Sequence, residues 1–517
     1  MKIISEIPIE NVGVLPKITV DFLLGEGGYF TPDQKKLKEL SSLPDVDFSD
    51  AKRSLLVDVL TSQYEACGMK VPEGVGKLKH TNTFTVTTGH QLCLFGGPLY
   101  VVYKIASTIN LSRQLNEAHP EFNFVPVFWM ATEDHDFEEV SKLNVRGATV
   151  HWQNNESGCV GRMGTDGLQK AFEELENVLD GYGSVLLGAV EKSLSFDNVS
   201  DHYRSFIHGL FGCDELVVID PDDKSLKNEF LSVINAELDG FSKKLLAANS
   251  RKLVDAGYKT QVKGRDVNLF WIEEQIRERI ICDEGEYKLK TGGRGYSKEQ
   301  LIELIRDHPE NVSPNVVLRP VYQQIILPNI VYVGGGSELA YWLQLEDLFS
   351  ELEVHYPVLM ARSSMTIVGE KMLGKWKAMG FDPIDLFKGL DLLKKELVMR
   401  DNALDVSGET KSILELIENM KKKVTDEQPE LEGMIGAETR KIRKQIEFIE
   451  KRLLRASKSK KEQSLIRVEK IIEKVKPGGK WQERYDSVFD YFTDTAGLER
   501  LVEMSDPTVD EMKVIMR

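Results

Sequence analysis

Three short stretches of the chain gather residue types that handle charged ligands. The first, TGHQLCLFGGPLYVVYK at 88–104, sets Gly89, His90 and Gln91 at the end of an apolar-alternating run, and Gly96 and Gly97 before a helix-like segment. Glycine lets a ligand approach the backbone, His and Gln donate hydrogen bonds, and free N–H groups at a helix start favour a phosphate or carboxylate. Two tight turns around a partly buried histidine are the plain alternative. The second stretch, PVFWMATEDHDFEEV at 126–140, places Glu133, Asp134, His135 and Asp136 just past a very apolar run. Four ionisable groups there are costly unless solvated or paired, which points to a cleft. Adjacent residues of extended chain point in opposite directions, so Asp134-His135-Asp136 does not present three ligands as an HExxH helix does, and no metal is expected. Asp134, His135 and Asp136 are the candidate catalytic residues, with His135 the candidate base because imidazole titrates near neutrality. The third stretch, 313–342, carries Arg319, Gln323, Gln324, Asn329, Gly334 to Gly336, Glu338, Tyr341 and Trp342. Arg319 has the fork that grips a carboxylate or phosphate, although a structural salt bridge explains it equally well. The glycines offer a second backbone platform for an anion.

These residues need a scaffold. Residues 83–88, 124–130 and 215–219 are short, β-branched or aromatic runs followed by polar or glycine-rich turns, as strands are. Between the first two, 98–118 has helical spacing, with Pro98 in its first turn. Strand, glycine turn, helix, strand is a βαβ unit of a parallel sheet, whose ligands lie at the carboxyl ends of the strands. The polar, helical 151–205 reads as an insertion. A second insertion, 240–310, has helical patterns at RKLVDAGYKT and WIEEQIRERIIC and a turn before a helix at KTGGRGYSKEQ. Strand-like chain returns in NVVLRPVYQQIILPNIVYV, with YVGGG a strand end and SELAYWLQL a helix. The expected fold is α/β: core 1–150, insertion 151–205, core 206–239, insertion 240–310, core 311–380, a helical arm 381–476 and a segment 477–517 that returns towards the core. In the arm, 430–476 has no proline and sets Ile435, Ile442, Ile446, Ile449, Leu453 and Ala456 in a coiled-coil seam. Residues 409–425 fold back on it through EQPE, and Pro477-Gly478-Gly479 ends it.

Composition limits the function. A net charge of −16 over 517 residues argues against a general nucleic-acid binder, which needs excess Lys and Arg. No run of about 18 apolar residues is present and the start has no apolar signal core, so neither a membrane span nor a signal peptide is expected. Five scattered cysteines without a CxxC pair fit reduced thiols in a cytoplasm. Cys93, among apolar neighbours, reads as an inert core thiol.

Taken together and in order, the three stretches resemble the bacillithiol biosynthesis cysteine-adding enzymes (BshC), whose usual forms read like TGQQ-x-GLF-GGPLY-x-x-YK, PVFW-x-x-x-EDHD-x-x-E and RP-x-x-Q-x-x-x-LP-x-x-x-YV-GGP-E-x-x-Y. The helical arm and the PGG-x-x-QER element at 477–484 fit as well. The resemblance implies a Rossmann-like core similar to class I aminoacyl-tRNA synthetases, two connective-peptide insertions and a C-terminal antiparallel coiled coil used for dimerisation. It implies a cytoplasmic ligase that adds L-cysteine to glucosaminyl malate to give bacillithiol, a redox thiol. This chain departs at His90, where the pattern has Gln, and at Gly336-Ser337, where it has Gly-Pro. Amide formation is uphill unless the carboxylate is activated. Class I relatives use ATP, so ATP or another nucleotide is the candidate cosubstrate. No HxGH is present, however, and RSSMT at 362–366 is only faintly like a KMSKS loop. The resemblance assigns binding of substrates or nucleotide to Gly89, His90, Gln91, Gly96, Gly97, Tyr100, Lys104, Glu133, Arg319, Gln323, Gly335, Gly336, Glu338 and Tyr341. Glu133 to Asp136 orient an amine, and Arg319 with the 334–338 loop binds the malate carboxylates. A non-catalytic coiled-coil assembly protein and a metal-dependent hydrolase centred on EDHD are the competing readings; a tRNA ligase is disfavoured by the charge.

Overall fold

The computed structural model describes residues 1–26, 46, 48–290, 293–400, 406–460 and 462–517, with backbone alone at 407 and 454–460. Residues 1–366 with 481–515 form one compact unit, and 367–480 with 516–517 form another.

The first unit is organised by five parallel strands: β1 (Thr83–His90), β2 (Asn123–Met130), β3 (Val217–Ile219), β4 (Asn329–Gly334) and β5 (Val358–Ala361). Their spatial order is β3-β2-β1-β4-β5. TFTVTTGH suits the centre of such a sheet despite its hydroxyls, because each buried threonine oxygen finds a partner. The Thr85 and Thr87 hydroxyls meet Asn329 Oδ1 at 3.2 and 2.7 Å, and that of Thr88 donates to the Val333 carbonyl at 2.7 Å. These bonds tie β1 to β4 across more than two hundred residues of sequence. Helix α1 (Leu99–Ala118) follows β1, with Pro98 just ahead of its first turn. Its mostly buried length covers the sheet, as a crossover in a parallel sheet requires.

Two segments differ from the sequence reading. WIEEQIRERIIC is an antiparallel hairpin, Leu269–Glu273 and Ile276–Asp283, with Ile272 opposite Arg277 and a turn at Glu274, whose φ is 42°. Ile272, Ile276 and Ile280 recur every four residues, as on a helix face, but in the hairpin Ile272 lies on the opposite face from Ile276 and Ile280, and Ile276 is 49% exposed beside the turn. Pairing of Leu269–Trp271 with Val312–Pro314 decides for the strand. Within the strand-like 315–333, helix α2 (Arg319–Ile326) intervenes before β4, with Pro320 in its first turn, where a missing N–H costs nothing. Helix α3 (Gly336–Trp342) follows β4. The turn expected at KTGGRG lies partly outside the described residues, at 291 and 292.

In the second unit, α4 (Ser407–Glu427) and α5 (Glu432–Lys460) form an antiparallel pair joined by a turn at Pro429–Leu431, and α6 (Glu462–Val475) follows. Ile435 and Ile446 are buried in the pair, with Ile417 from α4. Ile449, assigned to the seam, is 54% exposed. The side chain of Ala456 lies outside the described ones. Among the described residues no helix is long and apolar enough to cross a membrane.

Candidate active site

The chain runs outward through β2 and β3 on one side of β1, then returns to lay β4 on the other. Doubly wound sheets hold ligands in the crevice opened by that reversal, beyond the strand ends. A cleft of about 420 Å³ lies there. Its walls are Gly89, His90 and Gln91 from β1, Trp129 and Asp134 from β2 and its turn, Glu139, Arg319 and Gln323, and Tyr332, Glu338, Tyr341 and Trp342 around β4 and α3.

At the β1 end, Lys104 is buried and its ammonium donates to the Gly89 carbonyl at 2.6 Å and to Glu338 at 2.8 Å. Burial opposes both charges. It brings the Lys104 ammonium below its ordinary value, while the lysine holds the Glu338 carboxyl below its usual range. The other Glu338 oxygen accepts from the Gly335 N–H at 2.7 Å. The second anion platform is therefore occupied by the protein's own carboxylate. Gly336 is not part of the cleft either: a Cβ there would lie 2.5 Å from Leu15, and its carbonyl accepts from Thr19 at 2.7 Å. Gly335 and Gly336 shape the turn that delivers Glu338.

The EDHD side chains go four ways. Glu133 is buried away from the cleft, 2.7 Å from Lys227, which also meets Asp222 at 2.6 Å. Asp136 is exposed and caps the short helix Phe137–Val140, accepting from the Glu139 N–H at 3.2 Å. His135 Nδ1 accepts from Arg277 at 3.0 Å. Burial and the Arg277 charge pull its pKa below the ordinary value, so the ring is neutral with its proton on Nε2. The lone pair assigned to a general base is already taken. Asp134 alone of the four faces the cleft, where its carboxylate accepts from Gln91 at 2.9 Å. Burial pushes its carboxyl up, but Arg319, Gln91 and Arg277 together outweigh that and hold it below the usual range.

Opposite Asp134 stand two polar groups without partners. The Arg319 side chain makes no hydrogen bond or ion pair with the described residues, and the Gln323 amide nitrogen, in a residue 4% exposed, has no partner among them. A buried amide costs about 1–3 kcal/mol when left unsatisfied, so a ligand is the natural complement. Sequence reasoning passed over Arg277, which lies in the hairpin read as a helix, and Glu139, which accepts from Gln91 at 3.0 Å. The FEEV that follows EDHD was the available signal for Glu139.

Two family models cover nearly the whole chain: "Bacillithiol biosynthesis BshC, N-terminal Rossmann-like domain" matches residues 29–363 and "Bacillithiol biosynthesis BshC, C-terminal coiled-coil domain" matches 365–516. The chain belongs to the BshC family. Similar proteins named "Putative cysteine ligase BshC" occur in Christiangramia forsetii, 34% identical over 95% of this chain and 97% of that one, and in Flavobacterium johnsoniae, 35% identical over 91% and 89%. A third, in Flavobacterium psychrophilum, is 34% identical over 97% and 96%.

Against the BshC pattern, His90 is built into this chain's own packing. Its Nε2 meets the Tyr100 hydroxyl at 2.8 Å, and burial, then Lys104, brings its pKa down to about 4. Tyr100 carries the guanidinium groups of Arg362 and Arg484 at 5.7 and 5.8 Å from its ring centre, and Arg362 pairs with buried Glu483 at 2.6 Å. The QER element of the BshC family thus supports the cleft from behind. Gly96 and Gly97 lie outside the cleft. Both have positive φ, and a Cβ on Gly97 would lie 2.5 Å from that of Cys93. The N–H of Leu99, first in α1, donates to the Asp486 carbonyl at 2.8 Å rather than to a ligand. Cys93 is buried, and its thiol is pushed up to about 12 by that burial.

Proposed function

We propose that this chain is a cytoplasmic ligase that joins L-cysteine to glucosaminyl malate through an amide bond, the closing step of bacillithiol biosynthesis. Membership of the BshC family and the cysteine-ligase names of its relatives support this reading. The observation that carries it is the cleft's charge pattern: an ionised Asp134 facing an unpartnered Arg319 and Gln323, complementary to an amine beside a carboxylate.

In this reading Arg319 and Gln323 hold the carboxylate of cysteine, reducing the charge that repels an approaching nucleophile. Asp134 aims the amine of glucosaminyl malate, and Gln91 fixes the carboxylate that does so. The amine nitrogen bonds to the carboxyl carbon, its proton passes to solvent, and a carboxylate oxygen departs with the activating group. ATP or another nucleotide supplies that activation when bound. Asp134 is too acidic to keep the proton and serves in orientation. The helical arm joins two copies into a homodimer; Leu416, Phe448 and Ile449, all more than half exposed along it, supply an apolar surface for that.

The test is a deletion of the gene in its source cells, with thiols labelled by a bimane and measured by mass spectrometry. Loss of bacillithiol with accumulation of glucosaminyl malate, restored by the intact gene but not by Asp134→Asn or Arg319→Met, is expected. Unchanged levels of both, with no second copy of the gene, sink the proposal.

A further inference from the structure

A second cleft, of about 570 Å³, lies on the far side of Asp134, Val316 and Arg319, the residues it shares with the first. Its remaining wall includes Lys263, Arg265, Phe270 and Arg277. We infer that this second cleft seats the two malyl carboxylates of the acceptor, an inference that takes the acceptor's identity from the ligase reading above.

The charge pattern carries it. Four cations, Lys263, Arg265, Arg277 and Arg319, face one carboxylate, Asp134, in a chain whose net charge is −16. Nearly all buried cations are paired with an acid, because desolvating an unpaired charge is expensive. Arg277 is 9% exposed and has no acidic ion-pair partner among the described residues; its side chain meets the neutral Ser313 at 3.1 Å, His135 at 3.0 Å and the face of Phe270 at 3.9 Å, with Glu133 and Asp134 acting on it only at longer range. Burial and the charge of Arg319 both weigh against its protonated form. The side chains of Lys263 and Arg265 likewise have no hydrogen bond or ion pair with described residues, and both are exposed at the mouth. Glu133 and Asp134 offset part of that repulsion, and an anion entering here relieves the rest.

A dicarboxylate fits better than a polyphosphate. The cations come singly from separate segments, without the run of free backbone N–H groups that cradles a phosphate chain. Glucosaminyl malate carries its amine and its malyl group on neighbouring sugar carbons. With the carboxylates on Arg265, Lys263 and Arg277, that amine reaches Asp134 at the shared wall, facing the carboxylate held in the first cleft. The two substrates then meet at Asp134 and Arg319.

The test is titration calorimetry of L-malate, glucosaminyl malate and ATP against the wild-type chain, the K263Q/R265Q variant and a control, K244Q/R251Q, which removes two charges from a separate cleft. Expected is at least a tenfold loss of affinity for L-malate and glucosaminyl malate in K263Q/R265Q, with ATP within twofold and the control within twofold throughout. The inference is overturned if the wild type binds neither malate compound, if K263Q/R265Q binds them as the wild type does, if ATP is the ligand weakened, or if the control loses as much. A wild type that binds malate at this cleft but makes no bacillithiol fails the ligase reading and leaves the subsite standing. Bacillithiol synthesis with malate affinity indifferent to Lys263 and Arg265 does the reverse.

Discussion

Arg277 donates to Nδ1 of His135 across 3.0 Å, so the imidazole that stands out in the EDHD motif is an acceptor for a buried arginine. His135→Gln, which preserves an acceptor, is expected to retain kcat/KM within about fivefold and to leave the pH profile unmoved. Asp134→Asn is expected to lose about 100-fold or more. Steady-state rates between pH 6 and 9 distinguish the two. Loss of a titrating limb in His135→Gln would restore the histidine as base.

Gln323 offers a separation of stability from function. Replacing its unpartnered amide with the similarly sized Leu removes a desolvated polar group, and the urea midpoint is expected to rise, by about 1 kcal/mol of stability. The KM for one substrate is expected to rise about tenfold, the size of one hydrogen bond to a charged group. A drop in stability would mean that the amide has a partner within the fold.

Behind the cleft, Arg362 and Glu483 form a buried two-pronged pair at 2.9 and 2.6 Å. Glu483→Ala leaves a buried guanidinium unpaired and is expected to cost about 3–5 kcal/mol. The double replacement Arg362→Met with Glu483→Leu is expected to cost much less than the sum. Chemical denaturation of the four proteins in the cycle measures the coupling.

Three histidines, His202 buried and His90 and His208 half-buried, set an acid limit. His90, His202 and His208 are each brought to about 4, chiefly by burial. Their folded pKa lies below the unfolded value of about 6.5, so the unfolded chain binds more protons in between. Their contribution is full above about pH 6.5 and is lost as pH falls towards 4. Urea midpoints between pH 7.5 and 4.5 are expected to decline, and His202→Gln is expected to flatten that decline whatever it does to the midpoint at pH 7.5.

The scaffold was readable wherever one period dominated. The runs at 83–88, 124–130 and 215–219 fall within or across β1, β2 and β3, and 98–118 is α1 with Pro98 before it. Failure came where period alone was ambiguous. The four-residue spacing of Ile272, Ile276 and Ile280 imitated a helix face across a turn that puts Ile272 on the opposite side of the hairpin, and that hid Arg277. The residue types around the cleft were visible; their pairing was not. Glu133 looks as available as Asp134 until Lys227 is found beside it, and Gly335 looks free until Glu338 folds back onto it. Conversely, nothing in the letters RPVYQQ distinguishes a satisfied arginine from the unpaired Arg319, because satisfaction belongs to neighbours remote in the chain.

The strand order has a consequence for biosynthesis. A ribosome delivers β1, β2 and β3 long before β4, which follows β1 by about 240 residues. At about 5–20 residues per second, that leaves the central strand with one unsatisfied edge for roughly ten seconds or more. During that interval the threonines that later bond to Asn329 and Val333 have no β4 to meet, and another chain's strand fits the same edge. The nascent chain is therefore most vulnerable to misassembly in the middle of its own sheet, and a chaperone that engages the half-made product between about residues 220 and 330 is expected to raise its yield more than one that acts on the finished protein.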